Sequence, residues 1–381
     1  MDIRRGRLCA DFISCLMVLA AVLSLSACAA RPGPEVLRIT EAHVPGAQTV
    51  TVYAATTRAR AAGNVNVFTS GRASQPNYAS FDISVPPNHQ PGRIEWPEEQ
   101  IDPQTSFATV GQTNLTQQGL LQQVAGSGDG RKDVVIFIHG YNYSFPEALY
   151  RLTQIKVDGN LDETPILFAW PSQAAVAGYV ADKESATYSR DALTDLLAAL
   201  ARDSRIGTIT VFAHSMGGWL TVEALCQLRL SGQDDVFNRL TVVLAAPDID
   251  VDVFQAQMQV IGPMTPPMTV LVSSDDQALR VSNRLSRSRA RIGALDITDP
   301  AVQQAARKAQ LAIIDISSVE ASDGLNHDRY IKLATLYANR RDEGGDTPGP
   351  GLRSTGAFVF NTVGATISSP FSIIGEALEG G

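Results

Sequence analysis

Cysteine is scarce in this chain, which excludes a fold stabilised by covalent or metal crosslinks. Three of the four cysteines lie within the first 28 residues: Cys9, Cys15 and Cys28. Cys226 lies alone in an apolar helical run, so the rest of the chain can form neither an intramolecular disulfide nor a cysteine metal cluster. The fold therefore depends on a hydrophobic core, and 44% hydrophobic residues suffice to build one.

The chain also lacks a basic region. Charged residues make up 18% of the sequence, the net charge is −8, and Lys and Arg are scattered. Binding to nucleic-acid phosphates requires a clustered basic surface, so we expect no nucleic-acid partner. A Walker loop, a dinucleotide fingerprint and a histidine cluster are missing too, and we expect no cofactor and no metal.

The apolar run near the N-terminus, Phe12–Leu25, is too short to cross a bilayer as an ordinary helix. Three arginines precede it, which predicts a signal peptide over residues 1–27. The run ends in Leu25-Ser26-Ala27-Cys28, which resembles the lipobox of bacterial lipoproteins. We therefore expect lipid chains on Cys28, with an unlipidated signal peptide and an incidental cysteine as the alternative.

Lipid on Cys28 would make a membrane surface one partner of the protein, which would be anchored rather than spanning. This predicts a location in the cell envelope. The next residues, Ala29 and Ala30, lack the aspartate that can retain lipoproteins at the inner membrane. The outer membrane, facing the periplasm, is therefore the favoured location.

Short apolar runs alternate with amphipathic helical stretches beyond residue 133. The expected strands are Val134–Ile138, Ile166–Ala169, Ile209–Ala213, Leu240–Ala245, Met268–Val272 and Leu311–Ile316. Strands that are apolar throughout and alternate with helices are typical of a parallel sheet buried on both faces. We predict an α/β fold with a doubly wound, mostly parallel sheet and helices on both faces.

The sequence Ala213-His214-Ser215-Met216-Gly217 follows a β-branched strand and precedes a helix. This is the context of a nucleophile elbow, a tight strand-to-helix turn that exposes a serine. Bulky residues two positions either side of the serine would clash, and Ala213 and Gly217 are small. We therefore predict Ser215 as the nucleophile.

An upstream His-Gly pair, His139-Gly140, ends an apolar strand. In folds with a nucleophile elbow, such a pair opens a loop that supplies one oxyanion-hole N–H, and the residue after the nucleophile supplies the other. The predicted donors are Tyr141 and Met216. We also consider His139 and Trp170 as possible pocket residues, with a structural role as the alternative for each.

Residues from about Val50 to Tyr330 resemble an uncharacterised bacterial family of α/β-hydrolases of esterase or lipase type. The resemblance rests on the elbow, on Phe137-Ile138-His139-Gly140-Tyr141-Asn142, Phe168-Ala169-Trp170-Pro171-Ser172, Ala245-Ala246-Pro247-Asp248-Ile249-Asp250 and Val272-Ser273-Ser274-Asp275-Asp276-Gln277-Ala278-Leu279, and on the late His327. It implies the α/β-hydrolase fold and a serine-hydrolase triad, without a substrate.

The triad order in this fold is serine, acid, histidine. His327 is the one histidine downstream of Ser215 and is the predicted general base. Asp276 follows the strand at Met268–Val272 and starts the Asp-x-Ala-Leu pattern that matches the family, so it is the preferred acid. The alternatives left open are Asp275, Asp248 and Asp250.

The predicted organisation is a signal peptide over 1–27, a Pro-containing tether over 28–48, the α/β-hydrolase domain over 49–342 and a C-terminal segment over 343–381. The domain begins with a β-hairpin extension, with strands expected at Val50–Ala54 and Phe81–Val85. The rest of Ala59–Thr116 is expected to form loops because Gly, Pro, Asn, Ser and Gln are frequent there. The C-terminal segment combines a Gly/Pro-rich linker with an apolar tail.

The expected activity is hydrolysis of a carboxylic ester, small or lipid-like, through an acyl-enzyme on Ser215. An esterase is favoured over a lipase because no long apolar lid is evident. One alternative is a serine peptidase, amidase or acyltransferase with the same triad. The other is a non-catalytic envelope lipoprotein that uses the fold to bind a partner.

Overall fold

A nine-stranded sheet forms the centre of the computed structural model. The structure describes residues 31–333 apart from 43, 62–65, 99, 128–129 and 287–288. The strands are β1 (Gln48–Arg60), β2 (Phe68–Val85), β3 (Ala108–Leu115), β4 (Lys132–Ile138), β5 (Thr164–Ala169), β6 (Ile206–His214), β7 (Leu240–Ala245), β8 (Thr269–Val272) and β9 (Ala312–Asp315).

The strand order is β3-β2-β1-β5-β4-β6-β7-β8-β9. The strands from β1 to β9 in this order are parallel, and β2 and β3 are antiparallel additions at one edge. The helices are α1 (Gln117–Ala125), α2 (Phe145–Asp158), α3 (Tyr179–Tyr188), α4 (Arg190–Arg202), α5 (Met216–Leu230), α6 (Asp234–Phe237), α7 (Val251–Ile261), α8 (Gln277–Ser286) and α9 (Pro300–Ala309).

Both faces of the sheet are covered, as strand β4 illustrates. Its side chains alternate between the faces: Ile136 and Ile138 belong to the core beneath α4 and α5, whereas Val135 and Phe137 belong to the core beneath α2. All four are buried. The predicted doubly wound, mostly parallel sheet with helices on both faces is confirmed.

The segment expected to form loops, Ala59–Thr116, contains two of the longer strands. Strand β2 has 18 residues, many of them polar. It pairs with β1 from Phe68 to Val85 and with β3 on its other side. The prediction was wrong for most of β2, because none of residues 69–78 is buried and this part of the strand has the polar composition of a loop.

The prediction of a tether over 28–48 is also wrong for the part that the structure describes, which begins at residue 31. Residues Pro34–Leu37 form a 3-10 turn whose Val36 and Leu37 are buried against the core, and the Tyr150 hydroxyl donates to the Val36 carbonyl. Burial of the apolar side chains of Val36 and Leu37 stabilises this docked position, whereas an extended linker would leave both side chains in water. The predicted signal peptide, Cys28 and the segment over 343–381 lie outside the described residues.

Among the residues that the structure describes, no helix is long and apolar enough to cross a membrane.

Candidate active site

Ser215 lies at the turn between β6 and α5. Its backbone angles are φ 53° and ψ −117°, a conformation that residues other than glycine rarely adopt. Hydrogen bonds hold it on both sides: its N–H donates to the Ala245 carbonyl at 2.9 Å, and its carbonyl accepts the N–H groups of Gly218 and Asp248. The surrounding structure therefore maintains a strained turn at the predicted nucleophile.

Two glycines let the backbone approach this turn. A Cβ at Gly217 would lie 2.4 Å from the carbonyl oxygen of Ile138 and 2.6 Å from that of His139. A Cβ at Gly140 would lie 2.8 Å from Nδ1 of His214 and 3.1 Å from the Cβ of Ser215. Neither position can accept a side chain unless the elbow or the His-Gly loop moves apart.

His327 and Asp276 form a pair beside the elbow. Nδ1 of His327 lies 2.6 Å from Oδ2 of Asp276, whose side chain is fully buried. The His327 ring lies 4.6 Å from the His214 ring, measured between centroids, and His214 directly precedes Ser215. A carboxylate accepts hydrogen bonds, so this contact favours the His327 tautomer with its proton on Nδ1 and with Nε2 as the basic nitrogen.

The charge environment favours a cationic His327. Burial by itself lowers the pKa of this imidazole. The hydrogen bond to Asp276 and its negative charge, together with the charges of Asp248 and Asp323, outweigh burial and raise the pKa above its ordinary value. The site is therefore able to stabilise a protonated histidine.

The Ser215 hydroxyl forms no hydrogen bond with another residue in the part of the chain that the structure describes, and neither does Nε2 of His327. The hydrogen bond between a nucleophile and its general base is often long in the absence of substrate and shortens in the enzyme–substrate complex. Both groups are thus free to engage an incoming molecule.

The other candidate acids have different partners. Asp275 accepts from Asn326 at 2.9 Å and from Arg329 at 2.7 Å, and its side chain is half exposed. Asp250 caps α7 by accepting the N–H groups of Asp252 and Val253. Neither contacts His327.

Asp248 belongs to a buried polar network that the sequence did not reveal. Its carboxylate accepts from the Tyr179 hydroxyl at 2.8 Å and the Ser282 hydroxyl at 2.7 Å, and Nε of Arg291 lies 3.1 Å from Oδ1. Burial and the charge of Asp248 raise the pKa of the Tyr179 phenol. The network links α3, α8 and the segment after β7 beside the elbow. Its members lie far apart in sequence, and none matches a motif.

The predicted oxyanion donors have free N–H groups. Neither the N–H of Tyr141 nor that of Met216 donates to another described residue. The helix start explains the second case, because the first N–H groups of a helix lack intrahelical acceptors.

Asp182 positions the loop that carries Tyr141. This buried carboxylate accepts the N–H of Asn142 at 3.1 Å, and it accepts from the Ser172 hydroxyl at 2.6 Å. The same Ser172 hydroxyl accepts the N–H of Tyr143. Sequence reasoning missed Asp182, which lies within α3 and carries no motif.

His139 and Trp170 do not line an open pocket, and that prediction was wrong. Both side chains are fully buried and stack at 4.8 Å, and Nε1 of Trp170 donates to the His139 carbonyl. Burial, with the nearby charge of Arg58, lowers the pKa of His139 to about 3. The pair stabilises the start of the His-Gly loop, because Trp170 both stacks on the His139 ring and donates to its carbonyl.

No group of three or more His, Cys, Asp or Glu side chains that could hold a metal ion occurs within the described residues.

A doubly wound sheet, a serine at a strand-to-helix turn and an acid–histidine pair after later strands together define an α/β-hydrolase. The chain belongs to the family described as alpha/beta hydrolase of unknown function (DUF900), whose model matches residues 116–341. The predicted fold and family resemblance are thereby confirmed. No curated protein matches the chain.

Proposed function

We propose that the protein is a serine hydrolase that cleaves a carboxylic ester through an acyl-enzyme on Ser215, at the bacterial cell envelope. The hydrogen bond between His327 and Asp276 carries this proposal, because it leaves Nε2 of the histidine basic beside the strained serine. In an enzyme of this kind the three residues act as nucleophile, general base and orienting acid.

In the first half-reaction, the Ser215 hydroxyl oxygen attacks the ester carbonyl carbon and its proton passes to Nε2 of His327. The N–H groups of Tyr141 and Met216 stabilise the oxyanion, and each such donor is typically worth about 3–4 kcal/mol. The tetrahedral intermediate collapses, the ester C–O bond breaks, and the alcohol leaves with the proton from His327.

In the second half-reaction, water attacks the acyl-enzyme and gives a proton to His327. The acid product is released when the bond to Ser215 breaks and the serine oxygen regains that proton. Asp276 stabilises the imidazolium in both halves without itself becoming protonated.

A fluorophosphonate probe tests the nucleophile. Wild-type protein should be labelled, and Ser215→Ala should abolish labelling and lower ester turnover about a million-fold. Ser231→Ala is the matched control, because Ser231 lies at the other end of the same helix α5. Labelling that persists in Ser215→Ala would exclude this nucleophile.

Turnover by wild-type enzyme that has not been treated with the probe should be compared across esters and amides of equal acyl chain. Cleavage of amides at least as fast as esters would favour the alternative of a serine peptidase or amidase. Transfer of the acyl group to an added alcohol in preference to water would favour an acyltransferase. A wild-type protein that neither reacts with the probe nor turns over any ester would point to the non-catalytic alternative.

The envelope location rests on Cys28. Cys28→Ala should shift the protein from the membrane fraction to the soluble fraction, since the lipid chains supply the attachment. Cys226→Ala, which removes the half-buried cysteine of α5, is the control and should stay with the membranes. Unchanged membrane association of Cys28→Ala would contradict the anchor.

A further inference from the structure

Four exposed apolar side chains surround the candidate site and are called the apolar rim: Val176, Val180, Val281 and Leu325. The two valines of the 176–180 segment adjoin the His-Gly loop, because the hydroxyl of Tyr141 in that loop donates to the carbonyl of Val176. The other two adjoin the acid and the histidine, where the Gln277 N–H donates to the Leu325 carbonyl at 2.9 Å. Exposed apolar side chains grouped at one place are typical of a contact surface.

Helix α8 adds positive charge beside the rim. Arg280 and Arg284 are exposed on the same side of this helix as Val281, and the helix contains no acidic residue. In a chain with a net charge of −8, such a helix complements an anionic surface.

The start of the described chain lies at the same place. Arg31 donates to the Asn142 side chain at 2.7 Å and to the Ala174 carbonyl at 2.6 Å, and it pairs with Glu147. Asn142 follows Tyr141, and Ala174 lies two residues before Val176. Cys28 precedes Arg31 by three residues, which span at most about 11 Å. This chain length limits how far a group attached to Cys28 can lie from Arg31.

From these observations we propose that the apolar rim rests on an anionic bilayer to which lipidated Cys28 is attached, and that the site draws its ester from that bilayer. The substrate class is an amphiphilic ester whose acyl chain passes between the rim side chains to Ser215. The identity of the substrate rests on the proposed serine-hydrolase function, whereas the docking rests on the rim and on Cys28.

The docking is tested with a fluorophore at two matched positions. Val180→Cys and Leu230→Cys, each combined with Cys226→Ser, are labelled with an environment-sensitive dye in the full lipoprotein. Their wild-type side chains are 72% and 74% exposed. Leu230 is the last residue of α5, which begins directly after Ser215, so it lies at the far end of this helix from the candidate site.

In vesicles containing phosphatidylglycerol, the dye at position 180 should shift to the blue and be quenched by spin-labelled lipid. The dye at position 230 should show neither effect. Equal quenching at both positions, or none at 180, overturns the docking. A protein without lipid on Cys28 overturns it as well.

A blue shift at 180 before vesicles are added would identify a different occupant and also overturn the proposal. Loss of that shift on deletion of residues 343–381 would assign the rim to the C-terminal segment. Loss on dilution would assign it to a second copy of the chain.

The substrate class is tested by the ratio of two rates, turnover of a long-chain ester in vesicles and of a short-chain ester in solution. Val180→Asp should lower this ratio about tenfold, because the rim loses apolar contact and gains a charge that an anionic bilayer repels. Leu230→Asp should leave the ratio at its wild-type value. An unchanged ratio in Val180→Asp overturns the membrane source of the ester.

Failure of the docking and failure of the proposed hydrolase are distinguishable. Absent probe labelling of Ser215 with normal quenching at position 180 removes the hydrolase and leaves the docking. Normal labelling with no quenching removes the docking and leaves the hydrolase.

Discussion

Two aspartates beside Ser215 are buried almost equally and have opposite kinds of partner. Asp276 is 0% exposed and binds His327, which can be neutral or charged. Asp248 is 4% exposed and faces the permanent cation of Arg291. A carboxylate that faces a neutral base can stabilise the cation formed during a reaction, whereas one that is already paired mainly stabilises the fold. We therefore predict that the partner of each carboxylate, more than its burial, decides which of the two serves catalysis.

The largest expected effect is on Asp276. Asp276→Asn should lower kcat about 10⁴-fold, because an amide neither holds the useful histidine tautomer nor stabilises its cation. Thermal unfolding should change little, since Asn can still accept the Leu279 N–H that Asp276 accepts now. A steady-state assay with a chromogenic ester measures the first effect. A loss under about tenfold would remove the distinction between the two aspartates.

The second prediction concerns the fold. Arg291→Met should lower the free energy of unfolding by about 3–5 kcal/mol, because it leaves the Asp248 carboxylate buried without its cation. Urea denaturation measures this. Adding Asp248→Asn to Arg291→Met should recover part of the loss, since the two changes act on one pair. Additive losses would show that the aspartate and the arginine stabilise the protein independently.

The third prediction concerns pH. The proposed mechanism requires neutral His327, so the rate should rise with pH as the imidazole loses its proton. The negative charge of Asp248 helps to raise the pKa of His327. Asp248→Asn should therefore shift the acidic limb of the kcat/KM profile to lower pH, in protein shown by circular dichroism to be folded. A limb that stays in place or moves to higher pH would mean that Asp248 does not act on the histidine.

The smallest effect is expected at Asp275, the neighbour of the acid. Its ion pair with Arg329 is half exposed on the carboxylate side, so Asp275→Asn should cost about 1 kcal/mol or less in unfolding free energy. Turnover should remain close to wild type because His327 keeps Asp276. Parallel denaturation and ester assays check both values, and a loss of activity like that of Asp276→Asn would make the two positions equivalent.

The predictable parts of the molecule were those governed by local pattern. Apolar runs located the parallel strands, and a small-residue turn predicted the unusual backbone of Ser215. The proximity of Asp276 to His327 agrees with the order of residues along the chain, although their catalytic roles stay predictions. Strand β2 was predicted only over Phe81–Val85, because residues 69–78 of this strand are largely polar and none of them is buried.

The polar network around Asp248 was not predicted from the sequence, for a different reason. Tyr179, Ser282 and Arg291 meet Asp248 only after three separate segments have packed together, and nothing in their local sequence indicates the meeting. The burial of Trp170 and the position of Arg31 likewise depend on tertiary contacts. Contacts between residues that lie far apart in the sequence cannot be predicted from the spacing of motifs.

The backbone of Ser215 also affects how this sequence would respond to selection. Its conformation costs about 1–3 kcal/mol for any residue with a side chain, and glycine adopts a positive φ at no such cost. Ser215→Gly would thus be inactive yet more stable. A variant library screened for stability alone would be enriched in proteins that have lost the proposed nucleophile, and we expect the serine to persist only where turnover itself is selected.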